Sequence, residues 1–217
     1  LQPRISAAPA RFVGYRNLIT FALTAATNDG FDALMGAPTP TEPIPADARF
    51  DAAGPFVVWE EADNLRTGSL LDDGDFLLRI DVAHGTHPAL AMRSGGPGLA
   101  FLQNGRVLLS ELGGLSLQCL EGGFCSTDVG APPIAVTHGT ALGLAYEDQR
   151  DAWVVAASET LMVVGRSDEG AVLMQSQTSE IGGEAPTRID AATSGGTAAI
   201  VQSTEDGDSV LTFMGCW

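Results

Sequence analysis

The chain has 217 residues, 45% of them hydrophobic, and its 27 acidic residues against 11 basic residues give a net charge of −16. All the basic residues are Arg, which excludes a phosphate-binding P-loop and a Schiff base, since both need Lys. The negative charge disfavours binding to nucleic acid or to an anionic membrane, and the hydrophobic content is too high for a disordered acidic chain. We therefore expect a globular protein.

The N-terminal segment carries an apolar run at residues 18–26 with Thr20 and Thr24 inside it. The run is too short to span a bilayer, and its β-branched and aromatic residues favour a buried strand over the core of a signal peptide. The first residue is Leu1 rather than Met. This start indicates either a removed leader or a piece of a longer product.

Short apolar runs bounded by Gly, Pro, Asn or Asp recur every eight to twelve residues along the rest of the chain, and no long window has helical spacing. This pattern predicts an all-β fold. Hairpin turns are predicted by Asn-Gly and Asp-Gly sequences, which supply the positive φ that tight turns need. They occur at residues 28–30, 72–75, 104–105 and 205–208.

The runs are also periodic. Four glycines, each ten or eleven residues after a proline, are spaced 44, 45 and 53 residues apart, at Gly54, Gly98, Gly143 and Gly196. A period of about 45 residues with several strands in each unit indicates the blades of a β-propeller. The third unit is about eight residues longer than its neighbours, with the extra material near residues 160–177. One more strand there is either an edge that contacts a partner or an unremarkable outer strand, and we favour the outer strand.

The repeat unit is a proline, then a glycine, an apolar residue, an alanine and an aromatic residue, as in the segments 98–101 and 143–146, followed by a turn. It resembles the degenerate repeats of secreted bacterial β-propellers over about residues 43–217. The Trp-Asp dipeptide of WD40 blades is missing, and Glu205 stands where the Asp-box of sialidase-type propellers has Asp. The resemblance implies four to five antiparallel blades, in a ring of their own or as part of a larger ring.

The last unit, from Pro186, has room for about three strands, one fewer than a usual blade. We expect a single domain overall. In it, residues 1–37 supply N-terminal strands that complete the last blade, residues 38–45 form a proline-rich connector, and residues 46–217 form the repeated blades.

Three cysteines are present, and Cys119 and Cys125 flank a five-residue gap with two glycines. Such a gap closes into a small disulfide loop, which we favour over two free thiols and which predicts an oxidising compartment, the periplasm or the cell exterior. Cys216 is the odd cysteine, either a buried thiol or a link to another chain.

Acidic turns offer oxygen ligands to Ca²⁺, although solvated hairpin turns are the alternative that we favour. The Ca²⁺ candidates are Asp72, Asp73, Asp75, Glu205, Asp206 and Asp208. No other cofactor is expected. Paired carboxylates for glycoside hydrolysis are a second class of candidate, because five-bladed propellers include glycosidases. Those near strand ends are Asp81, Glu147, Asp148 and Asp190, and no pair stands out.

The cluster Tyr146, Glu147 and Asp148 at a strand exit is the candidate for an exposed surface that binds a sugar or a basic peptide. Taken together, these features predict an exported, non-catalytic β-propeller module that acts as a protein-binding or structural subunit of a larger assembly. The alternative is a carbohydrate-active propeller, a lectin or a glycosidase, with its site on the central channel. The expected partners are proteins or other subunits, or a glycan, with no nucleic acid and no membrane span.

Overall fold

The structure is a computed structural model of the chain. The backbone is described for residues 4–5, 13–16, 21–27, 30–33, 49–54, 56–70, 76–94, 96–112, 118–119, 125–126, 132–158, 160–167, 170–178 and 186–215. Side chains are described for residues 49–54, 56–67, 83–94, 96–112, 132–158, 160–165 and 186–215. The chain divides into two compact units, Leu1–Leu90 and Ala91–Trp217.

The first unit contains two antiparallel sheets whose strands follow one another in chain order. The first sheet is β1 (Arg4–Ile5), β2 (Val13–Arg16), β3 (Phe21–Thr27) and β4 (Gly30–Ala33). The second sheet is β5 (Phe50–Ala53), β6 (Phe56–Glu61), β7 (Asn64–Leu70) and β8 (Phe76–His84).

The next sheet begins with β9, the strand in which the division between the units falls. Its strands, in spatial order, are β9 (Thr86–Arg93), β10 (Gly96–Gln103), β11 (Arg106–Glu111) and β14 (Ile134–His138). A separate two-stranded hairpin lies in sequence between the last two, formed by β12 (Gln118–Cys119) and β13 (Cys125–Ser126).

Two further sheets complete the second unit. One is β15 (Leu142–Glu147), β16 (Ala152–Ala157), β17 (Thr160–Ser167) and β18 (Gly170–Thr178). The other, which we call the last sheet, has three strands among the described residues, β19 (Arg188–Ser194), β20 (Thr197–Ser203) and β21 (Ser209–Gly215).

The fold class predicted from the sequence is therefore confirmed. Within the described ranges all regular structure is β, and five antiparallel sheets of three or four strands, each resembling a propeller blade, follow one another along the chain. The expected shortfall in the last repeat is also seen, because the last sheet has three described strands. The prediction that residues 1–37 complete this sheet, and the domain boundaries with it, stay predictions.

One detail of the predicted repeat is wrong. Gly98 lies in the second strand of its sheet, whereas Gly143 lies in the first strand, β15, so the two copies are not equivalent. The material near residues 160–177 forms β17 and β18, the ordinary third and outer strands of their sheet. The longest link between paired neighbouring strands lies between β11 and β14, where the hairpin β12–β13 is inserted. An apolar run has the same composition in any strand of a blade, so spacing alone cannot assign its position.

The predicted turns lie between paired strands. Asn104 and Gly105, with φ of 52° and 74°, join β10 to β11, as expected for the two positive φ values of a type I′ turn. Gly207, with φ of 87°, lies in the predicted turn between β20 and β21. The turns predicted at residues 28–30 and 72–75 fall between the paired strands β3–β4 and β7–β8, mostly outside the described residues.

The sheet β15–β18 is packed on both of its faces, because every residue of β16 is buried. On one face, a Cβ added to Gly98 of β10 would lie 2.6 Å from the ring of Trp153. On the other face, an apolar cluster joins β16 and β17 to the last sheet. The cluster contains Ala141, Ala145, Ala152, Val154, Ala156, Leu161, Val163, Ile189, Ala198 and Ile200. Removal of this apolar surface from water is the main force that holds these two sheets together.

Candidate functional site

The last sheet has two unlike faces. Ala198, Ile200 and Gln202 of β20 are buried against the preceding sheet, and Gln202 Nε2 donates a 2.6 Å hydrogen bond to the carbonyl oxygen of Ser158. Successive side chains of a strand point to opposite faces, so the residues between them form the second face. We call this second face of β20 and β21 the outer face.

The outer face is apolar and exposed. Val201 is paired with Leu211, and Ala199 is paired with Phe213, so these four side chains share the face. Leu211 and Phe213 are 55% and 67% exposed, and Val201 is 36% exposed. The fourth large hydrophobic residue that is exposed in the described part of the chain is Val210, at 47%. It lies near the turn and, because it pairs with Gln202, on the opposite face of β21. The exposed apolar side chains are thus gathered on two adjacent strands. Such a cluster is more typical of an interaction surface than single exposed residues scattered over a protein are.

Strand β21 pairs with β20 on one side. No strand among the described residues pairs with its other side, which we call the free edge of β21. The Thr204 amide donates a 3.0 Å hydrogen bond to the carbonyl oxygen of Asp208, at the end of the β20–β21 ladder. Hydrogen-bonded pairs alternate with other pairs along an antiparallel ladder, so Val210 and Thr212 exchange hydrogen bonds with β20. The peptide groups of Leu211 and Phe213 then point away from β20, towards the free edge.

An acidic turn lies at one end of this edge. Glu205, Asp206 and Asp208 are all exposed between β20 and β21, and none has a salt bridge within the described residues. Across the described residues, no group of three His, Cys, Asp or Glu side chains is placed to hold a metal ion. The Ca²⁺ hypothesis stays a prediction for this turn, and the other candidates, Asp72, Asp73 and Asp75, lie outside the described residues.

In the predicted binding cluster at residues 146–148, the side chains of Tyr146 and Glu147 make contacts within the protein. The ring of Tyr146 packs at 4.7 Å from that of Trp153, and its hydroxyl donates a hydrogen bond to Asp151. Glu147 is 2% exposed and accepts hydrogen bonds from the amides of Gln149 and Gly196, each at 3.3 Å. Asp148 is exposed. A binding role for this cluster stays a prediction, while the geometry gives Glu147 a structural role between two sheets.

Two of the carboxylates considered for glycoside hydrolysis have different partners within the protein. Glu147 is bound by backbone amides, as described above. Asp190 lies 2.8 Å from Arg188 in an exposed ion pair on β19. The side chain of Asp81 lies outside the described residues.

Cys119 and Cys125 lie directly opposite each other in the hairpin β12–β13. Opposed residues of an antiparallel pair have Cα atoms about 4.5–5.5 Å apart, which is within the range that a disulfide requires. The backbone register is therefore compatible with the predicted bond, which stays a prediction because their side chains and Cys216 lie outside the described residues.

Carboxylates also link β5 and β6 to β9 within the first unit. Asp51 Oδ2 accepts a 2.8 Å hydrogen bond from the amide of Leu90, and Glu60 Oε2 accepts a 3.0 Å bond from the amide of His87. Burial of the imidazole lowers the pKa of His87 from its usual 6.5, and the positive charge of Arg49 lowers it further, against an opposing effect of Glu60. These are roles in the fold that sequence patterns do not reveal, because the partners are 27 and 39 residues apart.

The residues of the outer face were not among the sequence-based candidates. The apolar run at residues 209–213 is one of the short runs that predict strands, but composition alone does not show which strand is left uncovered. The sequence does carry one related signal, the segment from Pro186 with room for about three strands, because a sheet of three strands leaves an edge for another strand.

No family model matches this chain, and no curated protein sequence matches it. Among solved structures, it is similar to a crystal structure of Hsv2 from Kluyvelomyces marxianus, a β-propeller protein, with 8% sequence identity and a TM-score of 0.33. That similarity covers 95% of this chain and 83% of the Hsv2 chain. The fold class rests on the sheet topology described above, which defines an all-β protein built of propeller-like antiparallel blades. In the described part of the chain, no helix is long and apolar enough to cross a membrane.

Proposed function

We propose that this chain is an exported, non-catalytic module of the secreted bacterial β-propeller type, which binds a protein partner as a subunit of a larger assembly. The observation that carries the proposal is the outer face of the last sheet, where Leu211 and Phe213 are more than half exposed. The neighbouring sheet, β15–β18, buries both faces of its second strand. An apolar sheet face of this kind gains free energy when another protein surface covers it.

Export is supported by the register of Cys119 and Cys125, which suits a disulfide, and disulfides persist in oxidising compartments. The net charge of −16 favours a basic partner over an acidic one. A carbohydrate-active site is less well supported, because Glu147 is held by backbone amides and Asp190 is paired with Arg188.

The proposal is tested by selecting a displayed library of random peptides on the full chain. Selected peptides are then titrated against the wild type, the double variant Leu211→Ser/Phe213→Ser and a matched surface variant, Ala135→Ser/Gln149→Ser. We expect the first double variant to weaken binding by at least about tenfold, because central apolar residues dominate interface energies. The two residues of the second variant are exposed and lie outside the outer face, so we expect it to leave binding unchanged. Peptides that bind equally well to all three proteins would contradict the proposal.

A further inference from the structure

We infer that the free edge of β21 binds an extended, basic-ended segment of the partner as a fourth, antiparallel strand of the last sheet. The inference rests on the proposed function and specifies its chemistry. Three observations bear on it, namely the orientation of the peptide groups, the pattern of the outer face and the charge of the adjoining turn.

The peptide groups supply the pairing. An edge strand presents unpaired N–H and C=O groups that act as a template for another strand. In β21 those groups belong to Leu211 and Phe213, because the N–H and C=O groups of Val210 and Thr212 are hydrogen-bonded to β20. Four other sheets among the described residues have four strands, so an added strand would bring the last sheet to the same size.

The side chains supply specificity. Residues of an added strand that lie opposite Leu211 and Phe213 have their side chains on the same outer face. The face is apolar at both positions and is extended by Val201 and Ala199 of β20. The partner segment therefore carries apolar residues at alternate positions, in the recognition mode known as β-strand addition.

The charge sets the direction. The turn at residues 205–208 places three exposed acidic side chains beside the start of β21. In an antiparallel arrangement, the C-terminal end of the added strand lies next to this turn. Basic residues at that end complement the turn, and the complementarity steers association and suppresses the opposite orientation.

The probe is the peptide acetyl-Thr-Val-Thr-Val-Thr-Arg-Arg-amide, whose two valines are placed opposite Phe213 and Leu211. We expect N-methylation of both valine amides to weaken binding to the full chain by at least about tenfold, because two hydrogen bonds to β21 are lost. N-methylation of the threonine amides that follow each valine is the matched control, because those amides point away from β21, and we expect a change of less than about threefold. Replacing Arg-Arg by Glu-Glu weakens binding at low salt.

Amide hydrogen exchange gives a readout by residue. We expect the bound peptide to slow exchange at Leu211 and Phe213 and to leave Thr212, which is already bonded to β20, unchanged. Equal affinity of the two N-methylated peptides would overturn the inference and leave the proposed function intact, because the apolar face would then bind without strand pairing. No binding by the parent peptide at concentrations up to about 1 mM would also overturn it.

Two outcomes separate the inference from its alternatives. Strong protection of Leu211 and Phe213 in the protein without peptide would show that the edge is already paired, and would overturn the inference. Sedimentation then shows whether the edge is occupied by a second copy or within one chain. If the variant Leu211→Ser/Phe213→Ser binds the parent peptide and the selected peptides as well as the wild type does, both the inference and the proposed function fail.

Discussion

The indole Nε1 of Trp153 donates a 2.7 Å hydrogen bond to Oε1 of Glu111, and this bond joins β16 to β11 of the preceding sheet. Trp153 is fully buried, and Glu111 is also 3.9 Å from Arg93. The carboxylate at this sheet-to-sheet interface thus supplies the acceptor that a buried indole N–H needs.

The first prediction concerns this acceptor. Glu111→Ala leaves the Trp153 indole N–H without its partner, and we expect a loss of about 1–3 kcal/mol in the free energy of unfolding. Glu111→Gln keeps an acceptor oxygen and costs less than Glu111→Ala. Urea unfolding of both variants measures the difference, with Asp148→Ala in an exposed turn as the control. Equal losses from Ala and Gln would show that the acceptor is not what matters.

The second prediction concerns Gly98, which faces the ring of Trp153. A Cβ at this position would lie 2.6 Å from the ring carbon Cη2, and we expect Gly98→Ala to destabilise the fold by about 1–3 kcal/mol through overpacking. At Gly215 the nearest atom to an added Cβ is Thr197 Oγ1 at 3.8 Å, so Gly215→Ala is the matched control and changes stability by less than about 0.5 kcal/mol.

The same clash gives a coupling test. Trp153→Leu removes the ring atoms that clash with the added methyl group. We therefore expect the loss of unfolding free energy in Gly98→Ala/Trp153→Leu to be smaller than the sum of the losses in the two single variants. Strict additivity would mean that the two residues do not oppose each other in the folded protein.

The third prediction is a pH dependence from His87. Its pKa is lowered in the folded state, so the unfolded chain binds the proton more readily once the pH falls below about 6.5. Stability contributed by neutral His87 is therefore fully present above that pH and is lost as the pH falls towards the folded-state pKa. His87 has φ of 54°, which Asn adopts readily, so His87→Asn is the suitable variant. We expect the loss of stability between pH 7.5 and 5.5, measured by urea unfolding, to be smaller in the variant, by a margin set by the shift in pKa. An identical loss in both proteins would contradict it.

The fourth prediction concerns the cysteines. Alkylation under denaturing, non-reducing conditions, followed by mass spectrometry, is expected to label neither Cys119 nor Cys125 in protein folded under oxidising conditions, because their opposed backbone positions favour a bond. Reduction before alkylation then adds two labels. The variant Cys216→Ser removes the odd cysteine, and we expect reduction to add two labels in this variant as well. Labelling of Cys119 and Cys125 without reduction would contradict the disulfide.

The fold class followed from local features of the sequence. Short apolar runs, separated by turns such as Asn104-Gly105, predict antiparallel strands because alternation and positive φ are local requirements. The different strand positions of Gly98 and Gly143 show the limit of this approach, since a period of about 45 residues does not say which strand of a blade a run occupies. The buried role of Glu147 was also out of reach, because its partner Gly196 is 49 residues away.

The sequence by itself determined that this is an acidic all-β protein of repeated antiparallel units, and that the segment from Pro186 has room for about three strands. Only the tertiary structure decided which apolar side chains are covered. Val154 and Leu211 belong to similar apolar runs, yet Val154 is fully buried and Leu211 is 55% exposed. Burial depends on which sheet lies against a strand, and that is a relation between segments far apart in the chain. The exposure of the outer face could therefore be found only in the assembled sheets.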